Sequence, residues 1–378
     1  MDKLIANEFN LRKEIIYLNH AGVSPWPCRT AKAVQNFAEE NMLSGSLKYT
    51  MWLGIESQLR RRTRKLINAL SEDDIAFLKN TSEALSVVAY GLEWKNGDNI
   101  VSSSQEFPSN RIVWESLAQK GVEFREADLN NSKSPEDALF SLVDNKTRLI
   151  TISSVQYSTG LQMNLDIIGE FCKSRGILFC VDAIQSLGAM RFDVQQIQAD
   201  FVMADGHKWM LGPEGLAVFY SNPDARDRLH LNQYGWHMVE DAGNFDIKNW
   251  STAKNARRFE CGSPNMLGIY ALNASLSLLH ESGMVCVEKE ILKRSEYLID
   301  IIKTRPELEL ITPISKGRYA GIITFRRRGV ESEPLYKYLM GNRVVCAFRS
   351  GGIRLSPHFY TPYEHLDQAI ALVMSYSS

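Results

Sequence analysis

Short apolar runs and segments of helical periodicity alternate along the first two thirds of the chain. Six of the apolar runs have the length of a buried strand, at residues 75–78, 99–101, 149–152, 177–181, 201–203 and 216–219. Helical patterns of hydrophobic residues lie between several of them, at residues 83–93, 111–120 and 166–175. Strands that alternate with helices predict an α/β fold with a mostly parallel sheet.

The pattern changes at about Ser263. Two long helical patterns come first, then two strand-like runs and a closing helix, at residues 267–281, 287–303, 322–325, 344–348 and 364–374. This part of the chain predicts a smaller α+β domain. Because ligands of open α/β sheets bind beyond the carboxyl ends of the strands, polar residues that follow the apolar runs are the first candidates for a site.

The composition is that of an ordinary globular protein. The chain has 378 residues, 44% hydrophobic and 23% charged, with a formal net charge of -1. This balance predicts neither a nucleic-acid partner nor an anionic membrane partner. The dense basic cluster at residues 60–65 lies on a predicted helix, where we expect it to face solvent or another subunit.

The cysteines and the N-terminus predict where the protein works. The six cysteines are scattered and none has C-x-x-C spacing. We therefore predict reduced thiols and no metal site. Charged residues interrupt the N-terminal segment and no stretch reaches the roughly 18 uncharged residues of a membrane span. We expect a soluble, cytoplasmic protein.

Asp182 and Lys208 stand out because each follows an apolar run and the two are only 26 residues apart. Burial lowers the pKa of a lysine amine and makes it a competent imine former. A neighbouring carboxylate can hold a pyridine nitrogen protonated. Such a pair is the arrangement that pyridoxal phosphate (PLP) needs. Taken separately, Lys208 would be a surface charge and Asp182 the cap of a following helix.

Residues 79–85 provide a third element, where the run at 75–78 gives way to a helical pattern. Asn80 and Glu83 fit a capping box. Exposed amides and hydroxyls at a helix N-terminus also form a phosphate site, with help from the helix dipole.

Six segments, taken in order, carry a family resemblance. They are Tyr-Leu-Asn-His-Ala-Gly at 17–22, Asn-Thr-Ser-Glu-Ala at 80–84, Asp-Ala-Ile-Gln at 182–185, Gly-His-Lys at 206–208, Arg-Phe-Glu-Cys-Gly-Ser-Pro at 258–264 and Arg-Leu-Ser-Pro-His-Phe-Tyr at 354–360. Together they resemble the class V aminotransferase and cysteine desulfurase group of fold-type I PLP-dependent enzymes, over nearly the whole chain. The resemblance implies a large, mostly parallel α/β/α sheet domain that binds PLP (residues 21–255). It also implies a smaller α+β domain (residues 1–20 and 256–378).

The resemblance also implies roles for individual residues. Lys208 would bind PLP covalently and shuttle protons, and Asp182 would keep the pyridine nitrogen protonated. Arg354 would clamp the substrate carboxylate in a fork, which a lysine could not do as well. Asn19 would bind substrate, and the Tyr157 hydroxyl would reach either cofactor or substrate. Further cofactor contacts would come from Gln185 at the phenolic oxygen, Phe107 stacked on the ring, Thr81, Ser82 and His207 at the phosphate, and Ser263 from the other subunit of a homodimer.

The chain departs from the desulfurases of this group at three places. Many of them stack a histidine where Phe107 stands, and they carry a nucleophilic cysteine in a loop just before the carboxylate arginine. Here residues 349–354 leave no room for such a loop, and Cys346 lies within an apolar run that predicts a buried strand. Asp205 stands where the desulfurases usually have a phosphate-binding serine. A carboxylate would repel phosphate, so we expect Asp205 to point away or to pair with His207 or an arginine.

The sequence therefore predicts a PLP-dependent enzyme that acts at Cα of a small α-amino acid. Transamination, epimerisation and elimination of a β-substituent all need Lys208, Asp182 and Arg354. We favour an aminotransferase, with a C–S lyase or an amino-acid epimerase as the alternatives. A cysteine desulfurase ranks below these, and a non-catalytic protein of the same fold ranks last.

Overall fold

The computed structural model describes residues 5, 7–130, 132–246 and 248–377. Its strands are β1 (Ile16–Tyr17), β2 (Ile75–Leu78), β3 (Asn99–Ser103), β4 (Glu123–Ala127), β5 (Thr147–Ser153), β6 (Leu178–Asp182), β7 (Phe201–Asp205), β8 (Ala217–Ser221), β9 (Leu308–Leu310), β10 (Ile323–Arg327), β11 (Val344–Val345), β12 (Ala347–Arg349) and β13 (Gly352–Leu355). Its helices are α1 (Cys28–Ser44), α2 (Tyr49–Ile67), α3 (Thr81–Gly91), α4 (Ser109–Glu115), α5 (Pro135–Phe140), α6 (Leu165–Arg175), α7 (Pro223–Arg226), α8 (Met266–Ser282), α9 (Met284–Lys303), α10 (Ser332–Gly341) and α11 (Tyr363–Ser375).

Seven strands form one large sheet in the order β2-β8-β7-β6-β5-β3-β4. Its strands run parallel except that β8 is antiparallel to both neighbours. Every residue of β6, β7 and β8 is buried, which explains their unbroken apolar runs. Helix α3 belongs to one hydrophobic cluster on this sheet, and helices α6 and α8 belong to another. The predicted α/β fold is confirmed.

A second, antiparallel sheet of four strands in the order β12-β13-β10-β9 follows in the C-terminal part. Its strands share a hydrophobic cluster with α9, α10 and α11. The short strand β1 pairs with β11 and adds Ile16 and Leu18 to that cluster. The buried side chains of α8, in contrast, pack with the large sheet. The domain boundaries at residues 20 and 255 stay a prediction, and residues 1–4 and 6 lie outside the described residues.

Helix α6 illustrates how local sequence sets an element's bounds. The Asn164 side chain accepts a hydrogen bond from the backbone N–H of Ile167 and so caps the start of the helix. The helix ends at Gly176, which has a φ of 66°, a conformation that glycine adopts without a steric penalty.

One local expectation is wrong. The run at 344–348 is not one strand, because β11 pairs with β1 and β12 pairs with β13, with Cys346 at the break between them. Residues 183–190 form turns and isolated bridges, so Asp182 does not cap a following helix, which was the alternative to its role beside Lys208. An apolar run does not reveal that its two halves have different partners.

None of the helices in the described part of the chain has the length and apolar character that crossing a membrane requires.

Candidate active site

The carboxyl ends of three strands meet at one edge of the large sheet. Strands β6 and β7 are adjacent and parallel, and they end at Asp182 and Asp205. Strand β2 runs in the same direction as β7, because both are antiparallel to β8. The backbone N–H of Asp205 donates to the Thr81 hydroxyl at 3.1 Å, which ties the end of β7 to the start of α3.

Asp182 is a buried carboxylate at the end of β6, 2% exposed. One carboxylate oxygen accepts a hydrogen bond from the backbone N–H of Ile184 at 3.0 Å. The pKa of Asp182 is raised to about 7, chiefly by burial and also by the nearby charge of Glu106, whereas the hydrogen bond from Ile184 and the Lys208 ammonium act in the opposite direction. A buried acid of this kind favours a proton or a cation beside it.

Lys208 lies in the turn after β7, in the surroundings that an imine-forming amine requires. Burial lowers its pKa to about 8, and the positive charges of Arg354 and Arg349 also lower it. Its Nζ atom lies 5.7 Å from the centre of the Phe107 ring. A substantial share of this amine is therefore unprotonated at slightly alkaline pH.

Arg354, on β13, is a buried cation that is 2% exposed. Its Nη1 donates to the backbone carbonyl of Tyr157 at 2.6 Å, and its Nη2 donates to the Asn19 side chain at 3.2 Å. Its Nε–H has no hydrogen-bond partner within the described ranges. Burial lowers the pKa of Arg354 to about 10, and the charge of Arg349 adds to this. Among the described residues, no carboxylate forms an ion pair with it.

The turn before α3 presents hydroxyls and backbone N–H groups. Asn80 caps the helix by accepting from the backbone N–H of Glu83 at 2.9 Å. The return bond of the predicted capping box goes to a different group, because the Glu83 carboxylate accepts from the backbone N–H of Lys79. The Ser82 hydroxyl donates to Ser109 at 2.9 Å.

His207 and Asp205 form a pair next to this turn. The His207 Nδ1 atom lies 3.0 Å from a carboxylate oxygen of Asp205. The expectation that Asp205 pairs with His207 is therefore confirmed. Thr81, Asp205 and His207 all lie within this small region at the end of β7.

Gln185 is held on both sides by protein groups. Its Nε2 donates to the backbone carbonyl of Ala21 at 3.1 Å, and its Oε1 accepts from the indole N–H of Trp209 at 2.8 Å. Since an amide nitrogen carries two hydrogens, one donor remains for a ligand. The carbonyl of Trp209 contacts the buried His358 ring at 3.1 Å, which fixes the turn that carries Lys208.

Phe107 and Tyr157 form an aromatic pair near the lysine. Their ring centres are 5.1 Å apart in an edge-to-face arrangement, and Phe107 is exposed.

Ser263 differs from the other predicted site residues. It is exposed and lines a cavity of about 510 Å³ together with Lys79 and Glu83. The hydrogen bonds and ring contacts above link the other residues into one region, but they do not reach Ser263.

Two residues that contribute to the site, Trp209 and Glu106, could not be assigned a role from the sequence. Trp209 supports Gln185 and the lysine turn, and the buried carboxylate of Glu106 acts on Asp182. Trp209 follows Lys208 directly, and that adjacency was the available signal. Glu106 stands between a strand and a helix, where an acid usually lies at the surface, so nothing in the sequence indicates that Glu106 is buried.

A buried cluster of Glu56, His237 and Glu260 has ligand atoms close enough to suggest a metal. The Arg60 guanidinium already fills this position, with Nη2 2.7 Å from both carboxylates. A second cation there would be repelled. Arg60 also corrects the expectation for the basic cluster, since this member faces inward.

Comparison with known proteins gives a consistent family. A family model described as aminotransferase class-V matches residues 16–360. A probable cysteine desulfurase of Methanothermobacter thermautotrophicus is 31% identical over 356 residues, which cover 92% of this chain and 86% of that protein. An uncharacterized aminotransferase of Bacillus subtilis is 28% identical over 345 residues, covering 90% and 88%. The solved structure of the cystine C-S lyase C-DES has a TM-score of 0.89 at 21% identity, covering 97% of this chain and 99% of that one.

The fold, with a half-buried lysine and a buried acid at the ends of adjacent strands, defines a fold-type I PLP-dependent enzyme. The chain belongs to the aminotransferase class-V family. The family, the fold and the PLP cofactor inferred from the sequence are thus confirmed. Relatives named for desulfuration and for amino transfer both match the chain. Membership of the family therefore identifies the cofactor but does not identify the reaction.

Proposed function

We propose that this chain is a PLP-dependent aminotransferase that acts at Cα of a small α-amino acid. The observation that carries the amino-acid substrate, which amino transfer shares with the alternative reactions, is Arg354, a buried guanidinium near Lys208 that has no acidic partner among the described residues. A buried, unpaired cation is costly until an anion joins it. The carboxylate of an amino acid would supply that anion within reach of the lysine.

The residues of the site fit PLP. The Asp182 carboxylate is buried and accepts one backbone hydrogen bond, so it can accept a second one from a protonated pyridine nitrogen. Thr81 and Ser82 lie at the N-terminus of the 11-residue helix α3, which favours a phosphate. Gln185 retains one donor for the phenolic oxygen. When bound, PLP supplies an electron sink for a bond broken at Cα.

The chain's own residues supply the remaining steps. Lys208 would hold the cofactor, and its amine would take the proton from Cα of the substrate. Asp182 would keep the pyridine nitrogen protonated. Arg354 would bind the substrate carboxylate, and the backbone carbonyl of Tyr157 and the Asn19 side chain keep the guanidinium in place. Phe107 would lie against the ring and offers no titratable group.

The thiols near the site argue against sulfur transfer through a protein persulfide. Cys346 is 2% exposed, and burial raises its pKa to about 12. It lies at the break between β11 and β12, in contact with the hydrophobic cluster of the second sheet. Because the thiolate is the nucleophile, such a cysteine attacks poorly.

A second candidate is a C–S lyase that releases sulfide or a persulfide from a cysteine-like substrate without a protein thiol. The relative from Methanothermobacter thermautotrophicus, named a probable cysteine desulfurase, favours a sulfur-containing substrate. Elimination at Cβ would use the same lysine, acid and arginine.

One experiment separates these functions. The PLP-loaded enzyme is incubated with a panel of amino acids, with and without a keto-acid acceptor, and keto acid, ammonia and sulfide are measured together. Aminotransferase activity gives keto acid that depends on the acceptor, with no ammonia. Keto acid accompanied by equal ammonia, or by sulfide, would instead support the lyase.

Replacing Arg354 with lysine should raise KM for the amino acid by roughly 10–100-fold, because the forked hydrogen bonds to the carboxylate are lost. The matched control is Arg349→Lys, an exposed arginine that keeps its charge. Steady-state kinetics with the best substrate would show the difference. An unchanged KM in Arg354→Lys would remove the carboxylate role.

Cys346→Ala should leave turnover within a few-fold of the unmodified enzyme, and cysteine should form no protein-bound persulfide on the unmodified enzyme. The half-buried Cys261 provides a comparison thiol through Cys261→Ala. Mass spectrometry after incubation with cysteine measures any persulfide directly. Loss of sulfide production in Cys346→Ala alone would restore the desulfurase interpretation.

We further propose a homodimer, in which Ser263 of one chain completes the phosphate site of the other. Ser263 is exposed and lies apart from the hydrogen bonds and ring contacts that join the other described site residues. Light scattering at micromolar concentration should therefore give twice the mass of one chain. A monomer that binds PLP fully would contradict this arrangement.

A further inference from the structure

Glu106 is a buried carboxylate in the turn between β3 and α4, 5% exposed. Its two oxygens accept from the backbone N–H and hydroxyl of Ser153, from Gln156 Nε2 at 2.8 Å and from Asn110 Nδ2 at 3.0 Å. All of these donors are uncharged. Within the described ranges, no cation forms an ion pair with Glu106, so its charge is solvated by dipoles alone.

The hydrogen bonds of Glu106 place it beside Asp182. Ser153 is the last residue of β5 and pairs with Asp182 in the parallel register of β5 and β6. The next residue, Ser154, donates its backbone N–H to the Asp182 carbonyl at 2.9 Å. Two buried carboxylates thus lie at neighbouring strand ends. After burial, the charge of Glu106 contributes to the raised pKa of Asp182.

We infer that Glu106 is a positioning residue that acts through Asp182, because its negative charge strengthens the hold of Asp182 on the proton shared with the pyridine nitrogen. The inference rests on the proposed function. Charges interact strongly where water is excluded, so a second anion stabilises a proton between Asp182 and its partner. Burial raises the pKa of Glu106, whereas its uncharged hydrogen-bond donors favour the ionised carboxylate without adding a cation that would cancel this effect.

Among the described residues, two other titratable groups face Asp182. Lys208 has the opposite effect on it. The thiol of Cys180, two residues earlier on β6, is fully buried, and burial raises its pKa, so it remains neutral. Glu106 is thus the group that adds negative charge at this strand end.

A purely structural role must be distinguished from this one, since Glu106 also ties the turn after β3 to the end of β5. The decisive quantity is the pKa of the Asp182 carboxyl in PLP-free protein, measured by carbon NMR on protein with labelled aspartate. The resonance is assigned by its loss in Asp182→Asn. We expect Glu106→Gln to lower this pKa by about 1 unit or more.

Asp200→Asn is the matched control. Asp200 is a largely buried carboxylate that accepts from the backbone N–H of Phe179 at 2.8 Å, near the opposite end of β6. Its replacement should leave the pKa of Asp182 unchanged. An equal shift in both variants, or no shift in Glu106→Gln, would overturn the inference. Glu106→Asp, which keeps the charge, should restore most of the effect.

A measurement on the unmodified protein covers the case in which Glu106→Gln does not fold. With aspartate and glutamate both labelled, the Asp182 resonance should titrate in two steps, one of them at the midpoint of Glu106. A single isolated step would contradict the inference. Neither test needs the cofactor, so failure here leaves the assignment of Lys208 intact, and failure of that assignment leaves the coupling intact.

Discussion

Replacing Lys208 with alanine is expected to lower turnover by roughly 10²–10⁴-fold, the range that a positioned acid–base group contributes. On the proposed assignment, the variant would lose both the covalent link to PLP and the amine that moves the proton at Cα. The amine suits this task because burial lowers its pKa to about 8. Lys208→Arg should be as inactive, since a guanidinium keeps the charge and does not release a proton near neutral pH.

Two controls make the Lys208 result specific. Lys120→Ala removes an exposed lysine that lies over the Tyr90 ring, and it should leave turnover unchanged. Added methylamine should restore part of the activity of Lys208→Ala, because a small amine can occupy the space of the lost side chain. Turnover of Lys208→Ala within a few-fold of the unmodified enzyme would show that a group other than Lys208 transfers the proton at Cα.

Asp182→Asn is the second large effect, and we expect it to lower turnover by about 10²–10³-fold while PLP stays bound. The amide keeps the shape of the side chain and can still accept a hydrogen bond. It cannot hold a proton on the pyridine nitrogen, so the ring accepts electrons from Cα less well. Turnover is compared with that of Asp200→Asn, which should remain near normal.

The cofactor content of Asp182→Asn decides how its kinetics are interpreted. Absorbance of the purified protein and release of PLP on denaturation should give about one cofactor for each chain. If the variant lost PLP, the effect would be one of binding. If it kept PLP and turned over normally, Asp182 would have no part in electron withdrawal.

The strand ends could be predicted from sequence because β6 and β7 are buried on both faces. Their apolar runs end at the residues that carry chemistry, so Asp182 and Lys208 could be placed together without a structure. Strand β4 was missed, since it lies at the sheet edge and four of its five residues are exposed or only half-buried. Hydrophobic periodicity indicates buried elements better than edges.

The sequence alone does not predict which strands pair with each other or which charged side chains are buried. Cys346 lies in an apolar run, but only the three-dimensional ladder shows that the run is split between two partners. Glu106 resembles any acid before a helix, and its burial depends on Ser153, which is 47 residues away in the chain. Arg354 was identified by family resemblance, whereas its lack of an acidic partner among the described residues is a structural finding.

The most direct test of the account is to find which lysine holds PLP. The purified enzyme is reduced with borohydride, digested and mapped by mass spectrometry, with Lys208→Arg as the control. We expect a phosphopyridoxyl group on Lys208 and on no other lysine, and no labelled peptide in Lys208→Arg. Labelling of a different lysine in the unmodified enzyme, or of the same peptide in the variant, would contradict the central claim.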